Sequence, residues 1–263
     1  MHPPPFETVA MTVLGIDLLR YLLAAGAAWL VVFVLLRRRL AGRRILGAAP
    51  RPGQVRHELT YSMATVFVFA AHGLLTYLLA EAGRLQLYAE AARHGWAWWW
   101  LSLAGVIVAH DAWFYWTHRL LHHRRLFAAV HGVHHQSRHP TPWAAYSFHP
   151  LEAWVQAAFL PLWLALVPTH TGVVGLFLLH MIVRNVIGHC SHELMPRSAV
   201  PGGWLGFMTP VSHHHYHHAH NRGNYGLYFT WWDRWCGTED REYQRLGAGS
   251  AGAPPARAGR SAA

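Results

Sequence analysis

Residues 96–123 read WAWWWLSLAGVIVAHDAWFYWTHRLLHH, an apolar run that opens on tryptophan and closes on a His118-x-x-x-His122-His123 motif. About 20 apolar residues cross a bilayer as a helix, and tryptophan collects at the membrane interface. Residues three and four apart share a helix face, so His118 and His122 aim two imidazoles at one point. The stretch predicts a membrane helix, from Trp96 to about Trp116, that delivers histidines to its end. The fold class that follows is an all-α integral membrane protein with a histidine-rich helical cap.

Similar runs flank it. Leu14 to Leu36 is interrupted by Asp17 and Arg20, three apart and able to pair near one interface, and it stops at Arg37-Arg38-Arg39. Leu59 to Ala80 is a second span, with His72 as its one ionisable side chain. Leu151–Val167 and Val173–Gly188 are short for full spans, and a re-entrant hairpin fits them as well as two crossings. The total is four to five membrane helices or hairpins. Seven arginines between Arg37 and Arg56, with no acidic residue among them, put that loop in the cytoplasm by the positive-inside rule. Counting spans onward puts both histidine-rich segments on the same cytoplasmic face, whether the last hairpin crosses or dips.

Composition agrees. Of 263 residues, 53% are hydrophobic and 13% charged, where a soluble domain carries roughly 25% charged residues. That argues against an ordinary soluble enzyme and excludes a disordered or coiled-coil chain. The net charge of +10 is all arginine, lysine being absent, so it reads as compositional drift and gives no reason to expect a nucleic-acid partner. Cys190 and Cys236 form no CxxC, which leaves neither a disulfide framework nor a zinc ribbon. Met1–Thr8, with three consecutive prolines and no basic run, is not a cleavable signal peptide. Residues 1–12 read as an N-terminal segment, 13–246 as one membrane-embedded domain, and 247–263 as a disordered low-complexity tail. The tail's Gly247, Gly249 and Gly252 have a dinucleotide-site spacing, but no strand precedes them and Pro254-Pro255 deny the helix that should follow.

The chemistry lies in the histidines. Two windows, His110–His149 and His189–His220, hold 17 of the 23. Beyond His118 and His122, the motifs His131-x-x-His134-His135 and His214-x-x-His217-His218 each set their first histidine against the last two. Eight such ligands can hold two metal ions with positions left for oxygen, and imidazole suits iron, zinc and copper. Carboxylates are scarce, with Asp111 and Glu152 near the first window and Glu193 and Asp233 in or near the second. A ferritin-like site built on Glu-x-x-His pairs is thereby excluded. His2, His57, His72, His94 and His170 belong to no motif, and His180 is out of helical phase with His189 and is expected to face packing.

From about His110 to Thr238 the chain resembles the fatty acid hydroxylase/sterol desaturase superfamily of integral-membrane, non-haem di-iron oxygenases. The three boxes carry the resemblance, together with His139-Pro-Thr-Pro-Trp143, Phe148-His149-Pro150-Leu-Glu152, Asn185-Val-Ile-Gly188-His189, Asn224-Tyr225-Gly226 and Trp231-Trp232-Asp233-Arg234. It implies that His118, His122, His131, His134, His135, His214, His217 and His218 are metal ligands and that His189 is a ninth. His110, His123, His139, His149, His192 and Asp233 become candidates for groups that orient ligands. His192 stands where related sequences tend to carry an aromatic residue. His213, His215 and His220 are expected to form a solvated polar surround.

The resemblance further implies two iron ions, with zinc as a substitute in purified protein, and O2 as co-substrate. The reaction would oxidise a C–H bond of a membrane lipid, sterol-like or fatty-acyl, to an alcohol or an alkene. No Fe–S pattern, haem signature or credible nucleotide site is present, so electrons come from an external reductase or small redox carrier that docks near the cap. Two other readings compete. One is a carotenoid-type hydroxylase. The other is a non-catalytic metal-binding or transport membrane protein, which needs a polar path through the bilayer that these spans lack.

Overall fold

The computed structural model describes residues 4–47 and 49–248. Helix α1 (Phe6–Trp29) continues through a wider π-helical stretch, Leu30–Leu35, and α2 (Gln54–Glu81) folds back beside it. Gly53 starts α2 at a φ of 77°, a left-handed conformation that glycine alone adopts without steric cost. The short strand β1 (Leu87–Tyr88) follows, then α3 (Gly95–Leu121) and α4 (Arg124–Ala129). Two 3-10 turns, His131–Gln136 and Pro142–Tyr146, lead into α5 (Pro150–Ala157) and α6 (Phe159–Leu166). Strand β2 (Thr169–His170) opens α7 (Thr171–Gly188), and α8 (Val211–His220), α9 (Trp231–Trp235) and α10 (Arg241–Ala248) complete the described chain.

Among the described residues, three helical stretches are long and apolar enough to cross a membrane: Phe6–Leu35, Gln54–Glu81 and Thr171–Gly188. Their outer faces expose Leu19, Leu23, Leu35, Phe67, Leu78, Leu176 and Leu179, a surface that belongs in lipid rather than water. The expected span at Trp96 lies in α3, 27 residues long but two-faced. His110, Asp111, Tyr115 and His118 are buried, whereas Trp96, Trp100, Leu101, Trp116 and Leu120 are exposed.

Pro150–Leu166 is a shorter apolar pair of helices. The turn that follows it is tied to the loop after α2: Gln86 N–H donates to the Leu164 carbonyl, Thr169 N–H donates to the Gln86 carbonyl, and β1 pairs in parallel with β2. The hairpin of α5–α6 with α7 therefore reaches the end of the bundle where α2 finishes.

Tyr21, Val66, Tyr146, Phe148, Ile182 and Val186 form the core between α1, α2, α7 and the Pro142–Tyr146 turn. Val106, Phe159, Val173 and Phe177 pack α3 against α6 and α7. Tyr21 Oη and Ser62 Oγ both donate to the Trp143 carbonyl, which pins that turn between the first two helices.

Asp17 and Arg20 do pair, at 2.6 Å, and Arg20 also reaches the hydroxyl of the buried Tyr146. One expectation changes. Helix α10 carries structure through Ala248, two residues into the expected tail. Residues 249–263, and His2, lie outside the described residues.

Candidate metal centre

The site forms where the C-termini of α3 and α7 meet the His131–Gln136 turn and α8. Histidine is a mediocre helix former, so α8, with six histidines in ten residues, depends on its surroundings. It is buried over eight consecutive residues from Val211 to His218. It ends at Asn221, which takes the left-handed conformation with φ 56°, a place where asparagine substitutes for glycine. The Asn221 carbonyl then faces His122 Nδ1 at 3.1 Å.

The nine histidines fall into two groups. His118, His122, His131, His135 and His217 bring ring nitrogens within 4.8 Å of one another, and His134, His189, His214 and His218 do the same. The boxes interleave. In each HxxHH the first and last histidines go to one group and the middle one to the other: His131 and His135 against His134, His214 and His218 against His217.

Tautomers decide what these groups can hold. His118, His122, His134, His189 and His217 each face a backbone carbonyl through Nδ1, those of Tyr225, Asn221, Ser147, Asn185 and Gly223. His131 Nδ1 faces the Glu152 carboxylate at 2.8 Å. A carbonyl accepts only, so in those five rings the proton sits on Nδ1 and Nε2 keeps a bare lone pair. Yet these Nε2 atoms face each other: His118 and His131 at 3.1 Å, His122 and His217 at 3.2 Å, His134 and His189 at 3.3 Å. In the His122–His217 and His134–His189 contacts neither nitrogen has a proton to donate. Lone pairs aimed at each other repel unless a cation lies between them. A metal holding imidazoles at about 2.1 Å and at right angles sets their nitrogens roughly 3 Å apart, so the donor set fits a metal in each group.

Electrostatics agrees. Burial, reinforced by the neighbouring imidazoles, pushes His131, His134, His214, His217 and His218 well below the ordinary histidine range. Burial brings His135 down to about 3 and His189 to about 4. These rings stay neutral, the form in which imidazole binds metal.

Around the groups stands a shell that the spacing did not reveal. Glu152 is 2% exposed and orients His131. His149 caps the helix that carries it, Nδ1 accepting from Leu151 N–H. His57 Nε2 meets the Val133 carbonyl at 3.1 Å and holds the middle box's turn. Tyr225 packs its ring on His118, His122 and His217. Asp233 accepts from Tyr225 N–H, Gly226 N–H and Thr238 Oγ1. Burial alone would raise its pKa, but these bonds and His213 outweigh it and hold the carboxyl below its usual range. Asp111 accepts from Tyr228 N–H, Phe229 N–H and Trp231 Nε1, so two carboxylates hold the 225–231 loop against α3 and α9.

The remaining histidines separate. His110 Nδ1 meets Tyr228 Oη at 2.9 Å, with Phe159 and Phe177 on its ring, and joins neither group. His123 is exposed at the start of α4. His139 Nδ1 contacts His215 Nε2 at 3.2 Å. His192 Nδ1 contacts the Cys190 carbonyl, with its ring edge-on to Phe33, outside both groups. His180 packs on Tyr228.

His213 and His215 were expected in solvent but are fully buried. The cause is α10, which brings Tyr243 onto His213, while Ser191 and His139 close over His215. His220 remains partly exposed beside Asp240.

An apolar cavity of about 260 Å³ adjoins the site. Phe114 and Phe148 line it and lie on His118 and His134, with ring centroids at 4.9 and 5.0 Å. Asn185, whose carbonyl holds His189, lines it too.

The sequence model of the fatty acid hydroxylase family matches residues 103–238, the segment that contains both histidine groups and their carboxylates. The chain belongs to the fatty acid hydroxylase family. Among relatives in this hydroxylase and sterol desaturase group, a Delta(7)-sterol 5(6)-desaturase of Aspergillus fumigatus is 30% identical over 202 residues, covering 71% of this chain and 63% of that protein. Methylsterol monooxygenase 1 of Rattus norvegicus is 33% identical over 144 residues, covering 54% and 48%. Lathosterol oxidase of Mus musculus is 30% identical over 184 residues, covering 69% and 60%. The chain thus spans about half to two thirds of the length of these relatives. No solved structure matches it.

Proposed function

We propose that this chain is an O2-dependent oxidoreductase that oxidises a C–H bond of a membrane lipid, sterol-like or fatty-acyl, at a dinuclear iron site. The observation that carries it is the facing of bare Nε2 atoms in two adjoining groups at the wall of an apolar cavity. The names of the relatives, sterol desaturases and oxidases, support the substrate class.

His118, His122, His131, His135 and His217 would hold one iron, and His134, His189, His214 and His218 the other. Bound iron supplies the means to reduce O2 and attack an unactivated C–H bond. The chain supplies position and dryness. Five backbone carbonyls fix the tautomers of five imidazoles, so much of the donor set is organised before metal arrives. Phe114 and Phe148 form the floor of the cavity over the cluster, where they exclude water and place one carbon of an apolar chain next to the metals. Electrons come from an external reductase or small carrier that docks on the cap. The arginine-rich loop 37–44 lies beside that cap, Arg43 donating to the Met195 carbonyl and Arg44 bridging to His192; this supports a cytoplasmic active-site face.

Protein purified from iron-replete cells should carry close to two metals per chain. With a reductase system and O2, it should convert an added membrane-lipid extract to products 16 mass units heavier or 2 lighter. His134→Ala should abolish conversion while membrane insertion stays intact. Metal content well below one per chain, or undiminished conversion by His134→Ala, would refute the assignment.

A further inference from the structure

The cavity is apolar at the cluster but carries a polar patch on α1, α2 and α5, well outside the family-matched segment for the first two. Asp17 and Arg20 line it as a 2.6 Å ion pair whose side chains are 11% and 15% exposed. His72 and Gln156 line it as well. Ionisable side chains inside membrane helices are costly and are retained chiefly where they act.

Three buried polar atoms in this patch have no hydrogen-bond partner: Arg20 Nε, His72 Nε2 and Gln156 Oε1. His72 gives its Nδ1 to the Val68 carbonyl at 3.0 Å, which leaves Nε2 as a bare acceptor. Residues that line one cavity thus hold an unused N–H and two unused acceptors. A buried donor or acceptor left unpaired costs about 1–3 kcal/mol, so an apolar ligand with no polar group would leave that cost standing. A hydroxyl both donates and accepts and answers both needs, whereas a ketone or ether can only accept.

We propose that Asp17, Arg20, His72 and Gln156 form a receptor for a hydroxyl group carried by the lipid substrate. This inference rests on the cavity being the substrate slot of the proposed oxygenase. Arg20 Nη2 is 3.3 Å from Tyr146 Oη, and the next residue, Ser147, gives its carbonyl to His134. The hydroxyl site therefore stands one tyrosine away from the metal ligands. Its distance from the cluster selects which carbon of a hydroxylated lipid meets the metals, so these are positioning residues.

The test uses the full chain in lipid nanodiscs, with displacement of the fluorescent sterol dehydroergosterol read by energy transfer from tryptophan. Trp154 meets His72 edge-on, with ring centroids 4.5 Å apart, and is a built-in donor. Two probe pairs are compared, cholesterol with cholest-5-ene and hexadecan-1-ol with hexadecane, each corrected for partition into empty discs. Wild type should prefer the hydroxylated member of at least one pair by about tenfold or more, near 1.4 kcal/mol. The double variant Asp17→Leu/Arg20→Met removes both charges together and so strands neither. It should bring the ratio within about twofold while holding two metals per chain and keeping its thermal transition.

His72→Phe should lower the ratio without touching the ion pair. No preference in wild type for either pair, or a preference that survives in the double variant, overturns the receptor. Lipid oxidation without hydroxyl preference sinks the receptor and spares the oxygenase. Selective binding without any O2-dependent product does the reverse.

Discussion

Glu152→Gln is the sharpest probe of how the centre is built. The carboxylate is 2.8 Å from His131 Nδ1, and both side chains are at most 2% exposed. Burial pushes the Glu152 carboxyl well above the usual carboxylate range, and a cation on the far side of His131 would favour its ionised form; glutamine keeps the shape and can still accept the imidazole proton, but it cannot carry that charge. From Oε1 across the imidazole to a metal on Nε2 is about 6–7 Å, using a metal–nitrogen bond of about 2.1 Å. A unit charge pair at that separation interacts by roughly 2–3 kcal/mol at an effective dielectric of 20. Removal of such a partner typically costs 10–100-fold in metal affinity, or ~1.4–2.7 kcal/mol, the same order.

His131 belongs to the five-histidine group alone, so the loss should be lopsided. In a chelator titration followed by metal analysis, wild type should release its metals at similar chelator levels. The variant should give up one metal 10–100-fold earlier and keep the other. Two metals weakened equally, or neither, would refute the argument that the carboxylate acts through one imidazole.

Other outcomes follow from the same geometry. His189→Ala removes one of four ligands and should leave about one metal per chain, whereas His192→Ala, outside both groups, should leave two; metal analysis of the pair checks this. Gly226→Ala should destabilise by about 1–3 kcal/mol, read as a lower thermal transition, because a Cβ there runs into the Phe229 carbonyl and Asp233. Asp233 has a depressed folded-state pKa, so its stabilisation is present above the unfolded value near 4 and is lost as pH falls through the folded value. Asp233→Asn should therefore be less stable than wild type at pH 7, with the gap closing below about pH 4, as measured by thermal unfolding across pH.

The histidine boxes were legible because three- and four-residue spacing is a property of local helical geometry, whether the turn is α or 3-10. The helix reading held for α1, α2 and α7 because their apolar runs are long and uniform. Local spacing cannot reveal Glu152, which reads as an ordinary acid in the first turn of α5, 21 residues after the histidine it serves. His189 came from family resemblance and not from spacing. A strip of six histidines reads as surface, and what buries His213 and His215 is distant in the chain: Tyr243 of α10 covers the first, and Ser191 and His139 cover the second. The cavity draws on α1, α2, α3, α5, α6 and α7 at once; no pattern within one element announces it. Asp17 and Arg20 were noted as a pair, but their depth depends on Tyr146, 126 residues from Arg20.

The interleaving of the boxes has a mechanical consequence. His134 and His135 are neighbours in the chain, as are His217 and His218, yet each couple points to different groups. The gap between the two histidine groups is thus gauged by single peptide units, rigid spacers of 3.8 Å between Cα atoms, instead of by a shared side chain that could swing. Two short turns of backbone work as a pair of calipers. A tilt of α8 would carry His217 and His218 together, so the members of the two groups that this helix holds would keep their spacing.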